Sequence, residues 1–415
     1  MIDQDYPLRS LREGHWFKLI CGASFQHLPA VRNLALAYTL AGADCVDVAA
    51  DPAVILAAKE AFQVALAISR SQCVREPGVF KKPLLMVSLN DGEDPHFRKA
   101  EFPVANCPPE CDRPCEAICP ANAIVFQPTS VATKNSLSGS KSTQKHSLSG
   151  VVADRCYGCG RCMPICPIQH ISTRSYVSTP QAIAPLILQA GVDAIEIHTQ
   201  VGRLEDFRRL WAAIAPWADQ LKLIAISCPD GNELIDYLWA LYDTISPISC
   251  PLIWQTDGRP MSGDIGIGAT RAAVKLGQKV LTSGLPGYVQ VAGGTNQYTV
   301  PKLRSLGLLK PDISGQPIAH FQSSTPSHRV VADSAFPFIA GVAYGSYARS
   351  LLSPMLEQLE MMEVQDDMMT TLLWQAVNLA HSLVSQLKPT DATQPLSNPP
   401  KPLILSSNPS NSHNP

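Results

Sequence analysis

The fold is decided by a strand–helix–strand unit at residues 191–228, GVDAIEIHTQVGRLEDFRRLWAAIAPWADQLKLIAISC. Residues 194–200 and 221–228 are short runs rich in isoleucine and other apolar residues, as buried strands are. Between them, residues 204–215 repeat apolar side chains at helical spacing. A strand followed by a helix and another strand favours parallel pairing, which is the βαβ unit of α/β proteins.

The same unit recurs along the chain. Strand-like runs, most of them followed by an amphipathic helix, occur at 17–24, 45–51, 83–90, 194–200, 221–228, 251–258, 288–294 and 337–345. Eight such units predict an α/β fold of the TIM-like (βα)8 barrel type. An open doubly wound sheet is the alternative, because periodicity does not show whether a sheet closes.

A cysteine-rich segment interrupts this pattern after the third predicted strand. We therefore predict an inserted ferredoxin-like α+β domain at 101–175, between barrel parts at 1–100 and 176–349. Residues 350–387 continue as a helical segment. Residues 128–150 and 388–415 have too few apolar groups to offset the entropy of ordering, so we expect a mobile loop and a disordered tail.

Charge and composition limit the classes of function. The 415 residues carry a formal net charge of −2 with interspersed signs, which argues against a nucleic-acid or membrane-surface partner. The N-terminal residues lack the apolar stretch of a secretory signal, and runs such as 31–43 fall short of the ~20 residues that span a membrane. We therefore expect a cytoplasmic protein, in which thirteen cysteines favour metal binding over disulfides.

The most specific motif is Cys156-Tyr-Gly-Cys159-Gly-Arg-Cys162-Met-Pro-Ile-Cys166-Pro167. This is the C-x2-C-x2-C-x3-C-P spacing of bacterial ferredoxins, in which the fourth cysteine ligates the other cluster of a pair. The glycines let backbone N–H groups approach the sulfur atoms and offset the negative charge of the cluster. The motif therefore predicts a [4Fe–4S] cluster and a second cysteine run.

That second run lies upstream, at Cys107, Cys111, Cys115 and Cys119. Its first two gaps are three residues long instead of two. The longer gaps leave three alternatives open: a [4Fe–4S] cluster, a [3Fe–4S] cluster that lacks one ligand, or a site without one iron. Structural zinc is a further alternative, but zinc sites favour two separated cysteine pairs without a C-x3-C-P ending.

Exchange of the fourth cysteine between the runs gives two predicted ligand sets. The first cluster is assigned to Cys107, Cys111, Cys115 and Cys166. The second cluster is assigned to Cys156, Cys159, Cys162 and Cys119. The remaining cysteines lie in core-type segments and are predicted to be small buried hydrophobic residues: Cys21, Cys45, Cys73, Cys228 and Cys250.

The carboxyl ends of the strands are where (βα)8 barrels place their active sites. Small residues after the last two strands predict a phosphate or flavin site at Gly293, Gly294, Thr295, Gly341, Gly345 and Ser346. Tight turns that need glycine are the commoner interpretation, so the sequence does not favour a flavin. Glu196 and His198 face the same side of one strand, which would suit acid–base chemistry, although a lone histidine is more often structural.

Four segments together resemble the light-dependent period protein (LdpA) family of cyanobacteria. They are HWFKLICGASFQHLPAVRNLALAYTLAGADCVDVAAD at 15–51, CDRPCEAICPANAI at 111–124, DRCYGCGRCMPICP at 154–167 and GVDAIEIHTQVGRLEDF at 191–207. The resemblance implies an iron–sulfur protein on the input pathway of the circadian clock, with the Kai oscillator and the kinase CikA as partners. By that resemblance, the eight clustered cysteines become the ligands that sense redox state.

Two hypotheses of function follow. In the first, the clusters exchange electrons with the photosynthetic chain or quinone pool and thereby change contacts with clock proteins. In the second, the chain is a barrel oxidoreductase whose ferredoxin domain passes electrons to a flavin or similar acceptor, which is an analogy at the level of the fold alone. The sequence contains no nucleophile–base–orienter triad, so we lean towards a protein that is not an enzyme.

Overall fold

The structure of the protein is a computed structural model. The structure describes residues 2–3, 5–22, 28–72, 80–92, 98–119, 123–126, 150–152, 156, 162–175, 187–259, 268–310, 337–361 and 367–389. The predicted mobile loop lies outside the described residues except for Gly150. The predicted tail lies outside them beyond residue 389, as do Cys73 and Cys159.

Strands and helices alternate along most of the described chain. The strands are β1 (Ile2–Asp3), β2 (Trp16–Ile20), β3 (Cys45–Ala49), β4 (Phe80–Lys81), β5 (Leu84–Asn90), β6 (Arg98–Glu101), β7 (Ile124–Val125), β8 (Gly150–Val151), β9 (Ser172–Ser175), β10 (Ala194–His198), β11 (Leu223–Pro229), β12 (Leu252–Asp257), β13 (Tyr288–Ala292) and β14 (Ile339–Tyr344). The α-helices are α1 (Tyr6–Glu13), α2 (Leu28–Leu40), α3 (Pro52–Gln72), α4 (Pro114–Ala117), α5 (Cys162–Ile165), α6 (Leu204–Ile214), α7 (Leu234–Ile245), α8 (Thr270–Leu281), α9 (Thr299–Ser305), α10 (Ser346–Met361) and α11 (Asp367–Val384).

Eight parallel strands close into a barrel in the order β2-β3-β5-β10-β11-β12-β13-β14. Closure is made by β14 and β2, where Val342 lies opposite Phe17. At this junction the Phe17 ring stacks on Tyr344 on one side and Tyr38 of α2 on the other, at centroid distances of 5.2 Å and 5.8 Å. Each of the eight predicted runs overlaps one barrel strand, so the barrel is confirmed and the open sheet is excluded.

The cysteine-rich segment is inserted between β5 and β10, which are the third and fourth strands of the barrel. It contains two small antiparallel pairs, β6 with β9 and β7 with β8. The helices α4 and α5 contact each other and complete an α+β unit. The predicted position of the insertion, after the third barrel strand, is therefore correct.

Helix α3 has the length and composition of a membrane-spanning helix over Pro52–Arg70. It is longer than the run at 31–43, on which the expectation of no membrane span rested. In the structure α3 packs along α2 and the barrel wall, where Val54, Ala58 and Phe62 are buried in the core. Core helices of barrels pass the same test of composition, so this single helix is weak evidence for a membrane span.

The helices α10 and α11 pack against each other and against α2. Just beyond α11, the ammonium group of Lys388 is buried and forms an ion pair with Asp44, which lies between α2 and β3. Lys388 also donates to the backbone carbonyl of His15 at 3.0 Å. Lys388 begins the predicted tail, yet it belongs to the folded part of the chain.

Candidate functional site

The inserted unit has a small core of its own. Its buried members are Ala100, Phe102, Cys115, Ile124, Phe126, Cys162, Cys166 and Ile171. Cys107, Cys119 and Cys156 are partly buried against them. Cysteines of both runs therefore lie together in a single compact region.

Each cysteine run has the same local plan, a one-turn helix followed by a short strand. In the first run, α4 carries Cys115 and leads through Cys119 to β7. In the second run, α5 carries Cys162 and leads through Cys166 to β9. Proline at the start of α4 supplies a backbone angle that suits the first helical position. Helices α4 and α5 contact each other, so the two halves of the inserted unit meet at these helices.

The structure brings together the sulfur atoms that the sequence assigns to the first cluster. Burial raises the pKa of Cys107, and the nearby thiols of Cys111 and Cys166 raise it further. Burial likewise raises the pKa of Cys115, with smaller effects from Cys107 and Cys166. Charges influence one another in this way only over short distances. Cys107 therefore lies near Cys111 and Cys166, and Cys115 lies near Cys107 and Cys166. Their role as ligands stays a prediction.

Cys166 sits in a concave arrangement of backbone N–H groups. Burial alone would raise its pKa, but N–H groups of residues 168–171 lower the pKa below its usual value. The chain can turn its N–H groups inward because Gln169 adopts a left-handed conformation, with φ of 51°. Such a nest of N–H groups stabilises a thiolate, which is the form that ligates iron.

The second ligand set is described in part, because Cys159 lies outside the described residues. The backbone N–H of Ala100 donates to Cys156 Sγ at 3.3 Å, and that of Ala123 donates to Cys119 Sγ at 3.2 Å. Cys162 is buried in the same core. N–H donors aimed at sulfur are the feature that protein environments use to stabilise iron–sulfur clusters. The described residues of the inserted unit therefore fit an iron–sulfur cluster.

Comparison with known proteins gives the same cofactor. Residues 107–177 match the model of the LdpA Fe-S cluster-binding domain. Residues 186–386 match the Light dependent period A C-terminal domain. The chain is also 46% identical over 383 residues to Light dependent period A of Synechococcus elongatus, covering 92% of this chain and 94% of that protein.

The chain belongs to the LdpA family. The family resemblance predicted from the sequence is confirmed, and an iron–sulfur cofactor is supported by the cluster-binding domain. The C-terminal family domain begins just before β10 and contains the remaining barrel strands. This chain thus combines a cluster-binding insertion with a closed barrel.

A second polar site occupies the centre of the barrel. Lys18 of β2 is fully buried and forms an ion pair with Glu196 of β10, also fully buried. Its ammonium group lies 4.0 Å from Asp47 of β3, which accepts a hydrogen bond from Ser88 at 2.8 Å. Barrel interiors are ordinarily filled by branched apolar side chains, so this charged layer is unusual.

A chain of amides extends this layer across the barrel. Gln255 donates to Glu196 Oε1 at 2.6 Å and accepts from Gln290 at 2.6 Å. Gln290 in turn accepts from the Trp16 indole at 2.6 Å. Each of these buried polar groups therefore has a partner, which low-dielectric surroundings make necessary.

His198 connects this layer with the carboxyl-terminal mouth of the barrel. Its Nε2 lies 3.1 Å from Glu196 Oε1, and its side chain is 32% exposed. Burial lowers its pKa, but the hydrogen bond and charge of Glu196 outweigh this effect and raise the pKa of His198 to about 9. Burial raises the pKa of Asp47 to about 7 despite the charge of Lys18. Titratable groups with such shifted pKa values cluster at functional sites.

The predicted phosphate or flavin site is explained in part by packing. Gly293 and Gly294 have positive φ, and a Cβ on Gly294 would lie 2.8 Å from the carbonyl oxygen of Ala269. The Thr295 hydroxyl donates to the Ala343 carbonyl at 2.7 Å. On the last strand, a Cβ on Gly341 would lie 2.3 Å from the Trp16 carbonyl oxygen. The backbone angles and close contacts therefore explain why glycine is needed at Gly293, Gly294 and Gly341, and they do so without a bound ligand.

Gly345 and Ser346 differ from those positions. The nearest atom to a Cβ on Gly345 is Arg349 Nη1 at 3.5 Å, which is an ordinary contact. Ser346 accepts a hydrogen bond from Arg349 at 3.2 Å. Phosphate or flavin binding at this end of the barrel stays a prediction.

The cysteines outside the two runs are mostly core residues. Cys21, Cys45 and Cys228 are buried, and Cys250 is half-buried. Sequence analysis did not identify Lys18, Asp47 or Gln290 as site residues. The available signal was a polar side chain at an inward position of a buried strand, as in Trp16-Phe-Lys18 and Cys45-Val-Asp47.

Proposed function

We propose that the chain is an iron–sulfur redox sensor on the input pathway of the cyanobacterial circadian clock. In this proposal, two [4Fe–4S] clusters exchange electrons with the photosynthetic chain or the quinone pool. Clock proteins, namely the Kai oscillator and CikA, respond to the state of the clusters. The observation that carries the proposal is the packing of two cysteine runs into one small core within an LdpA-family chain.

Four exposed apolar side chains that are close to the cysteines in sequence support signalling through contact. Ile118 is 36% exposed, Met163 is 37%, Ile165 is 40% and Ile168 is 44%. Ile118 is adjacent to Cys119, and the other three lie within two residues of Cys162 or Cys166. Apolar side chains grouped on a surface mark contact sites for other molecules. A partner bound here would lie close to the clusters.

The cofactor content is tested by iron and sulfide analysis of protein purified without oxygen. We expect about eight irons per chain, as two cubanes require, and EPR signals from two interacting centres after reduction. About seven irons would indicate a [3Fe–4S] centre at the stretched site. About four irons would contradict the assignment of the first cluster.

The sensing step is tested by binding. The oxidised and the dithionite-reduced protein should bind Kai or CikA components with different affinities. Ile165→Ser with Ile168→Ser should keep the iron content but remove that binding, whereas Trp239→Ser, an exposed apolar residue on α7, serves as the control. Equal binding of both redox states would contradict the sensor.

A barrel oxidoreductase is the second candidate, and the charged layer around Lys18 and Glu196 favours it. An enzyme would use His198 at the mouth as a proton donor or acceptor, with Glu196 orienting the imidazole. The absorbance spectrum of the anaerobic protein distinguishes the candidates. A flavin spectrum beneath the cluster absorbance would support the enzyme, and cluster absorbance alone supports the sensor.

A further inference from the structure

His170 connects the two cysteine runs. It lies four residues beyond Cys166, and its Nε2 lies 3.6 Å from Cys107 Sγ of the other run. The imidazole stacks on Phe102 with a centroid distance of 5.4 Å and an interplanar angle of 24°. Phe102 follows β6 and His170 precedes β9, so the antiparallel pairing of these strands fixes the two rings together.

The surroundings of the imidazole determine which nitrogen carries the proton. Nδ1 is buried and has no hydrogen-bond partner among the described residues. A proton on Nδ1 would leave a buried N–H unsatisfied and would point the Nε2 lone pair at a thiolate sulfur. A proton on Nε2 instead gives a hydrogen bond to Cys107. The geometry therefore favours the Nε2–H tautomer.

A hydrogen bond to a sulfur ligand acts differently on the two oxidation states of a cluster. The reduced cluster carries one more negative charge, so a donor stabilises it more than it stabilises the oxidised cluster. The reduction potential then rises. The contact between His170 and Cys107 is part-buried, so solvent screens this effect less than it would at the surface.

We propose that His170 sets the potential of the first cluster by donating from Nε2–H to Cys107 Sγ. The inference rests on the proposed iron–sulfur function and adds a residue that tunes it. His170 holds no iron in this arrangement; it is a positioning residue that acts through Cys107. The hydrogen bonds described for the sulfur atoms of Cys119 and Cys156 come from backbone N–H groups, which a side-chain substitution does not remove. The donor on His170 is a side chain, so a substitution there changes the first cluster alone.

The test is an EPR-monitored redox titration of the full chain with its clusters, prepared without oxygen. His170→Phe keeps a ring for the stack on Phe102 but removes the donor. We expect a lower midpoint potential for one cluster and an unchanged midpoint for the other. His170→Gln keeps an N–H donor and should restore much of the potential. His381→Phe, on the distant helix α11, should change neither midpoint.

Two results separate this inference from the proposed function. Wild-type protein without two clusters would contradict the proposed function. His170→Phe with full iron content and unchanged midpoints would overturn the role of His170 alone.

A second measurement applies if His170→Phe loses iron. Wild-type protein carrying 15N-histidine should show a weak 15N coupling on one cluster signal by pulsed EPR, and His170→Gln should lack it. No coupling in the wild type, or a strong coupling of the kind a ligand bound to iron gives, would overturn the hydrogen bond.

Discussion

Lys18 carries a full charge in the centre of a barrel whose neighbouring layer is apolar. Burying an ion pair costs several kcal/mol of desolvation per ion, which the attraction between the charges only roughly offsets. Such a pair is therefore weak evidence for stability. Removing one partner of such a pair is strongly destabilising, because the charge that remains is buried and is not solvated by water. Without Lys18, Glu196 would keep His198 and Gln255 as partners, whereas Asp47 would keep the hydrogen bond from Ser88 and lose its nearest cation.

Lys18→Met should therefore destabilise the protein by about 3–5 kcal/mol in chemical unfolding. The matched control is Lys222→Met, which removes the ammonium group of a surface ion pair with Asp193, formed at 2.7 Å. That change should cost about 0–1 kcal/mol. Adding Glu196→Gln to Lys18→Met should recover part of the loss. Equal losses of unfolding free energy in Lys18→Met and Lys222→Met would contradict the burial of a charge at Lys18.

His198 makes stability depend on pH. Its pKa in the folded protein is about 9, against a usual value of 6.5. The folded state therefore holds the proton more tightly, and the stabilisation is complete below pH 6.5 and is lost as the pH rises through 9. Glu196, whose pKa is lowered to about 2 chiefly by Lys18 against the effect of burial, contributes its own change only below pH 4.5.

We expect the melting temperature to fall between pH 6.5 and pH 9, and His198→Gln to show a smaller fall. Asp47 also titrates in the folded protein, at a pKa of about 7, so the comparison of the two proteins isolates the histidine. Differential scanning calorimetry at both pH values measures it. An equal fall in melting temperature for the wild type and His198→Gln would show that the imidazole does not contribute to the pH dependence of stability.

At the scale of elements, all eight barrel strands could be predicted, because each is a short apolar run and most are followed by a helix. The contacts between elements could not. Periodicity shows that Lys18 and Glu196 face inward, but β2 and β10 are brought together by closure of the barrel. His170 was missed for the same reason: its place beside Cys107 depends on the pairing of β6 with β9. The exchange of the fourth cysteine between the runs follows from the ferredoxin spacing and stays a prediction.

The glycines of β14 and its following turn offer a test of packing at this scale. Gly341→Ala should destabilise the protein by about 1–3 kcal/mol, because its Cβ would meet the backbone of β2, which cannot move without opening the barrel. Gly345→Ala, four residues away, places its Cβ at ordinary contact distance and should be nearly neutral. Chemical unfolding of both variants measures the difference. A neutral Gly341→Ala would mean that β14 and β2 are farther apart than described.

At the scale of the whole molecule, the buried apolar residues divide into a large barrel core and a small core in the insertion. Three of the eight buried members of the small core are cysteines. A core of this size gives little hydrophobic stabilisation by itself, and small natural domains commonly add a metal or disulfides to it. Cluster binding and folding of the insertion should therefore be linked, because ligation adds its free energy to that of the folded unit.

Removal of iron should consequently unfold the insertion and leave the barrel intact. We expect anaerobic chelation to open protease sites within 101–175, while the fragments that contain β2 to β5 and β10 to β14 resist digestion. Far-UV circular dichroism should retain most of its helical signal, because the long helices belong to the barrel. Limited proteolysis with mass spectrometry, on the loaded and chelated protein, locates the cleavages. The barrel should remain because its strands pair in a closed ring that does not include the cysteine runs. Cleavage spread evenly over the chain would instead show that the clusters stabilise the barrel as well.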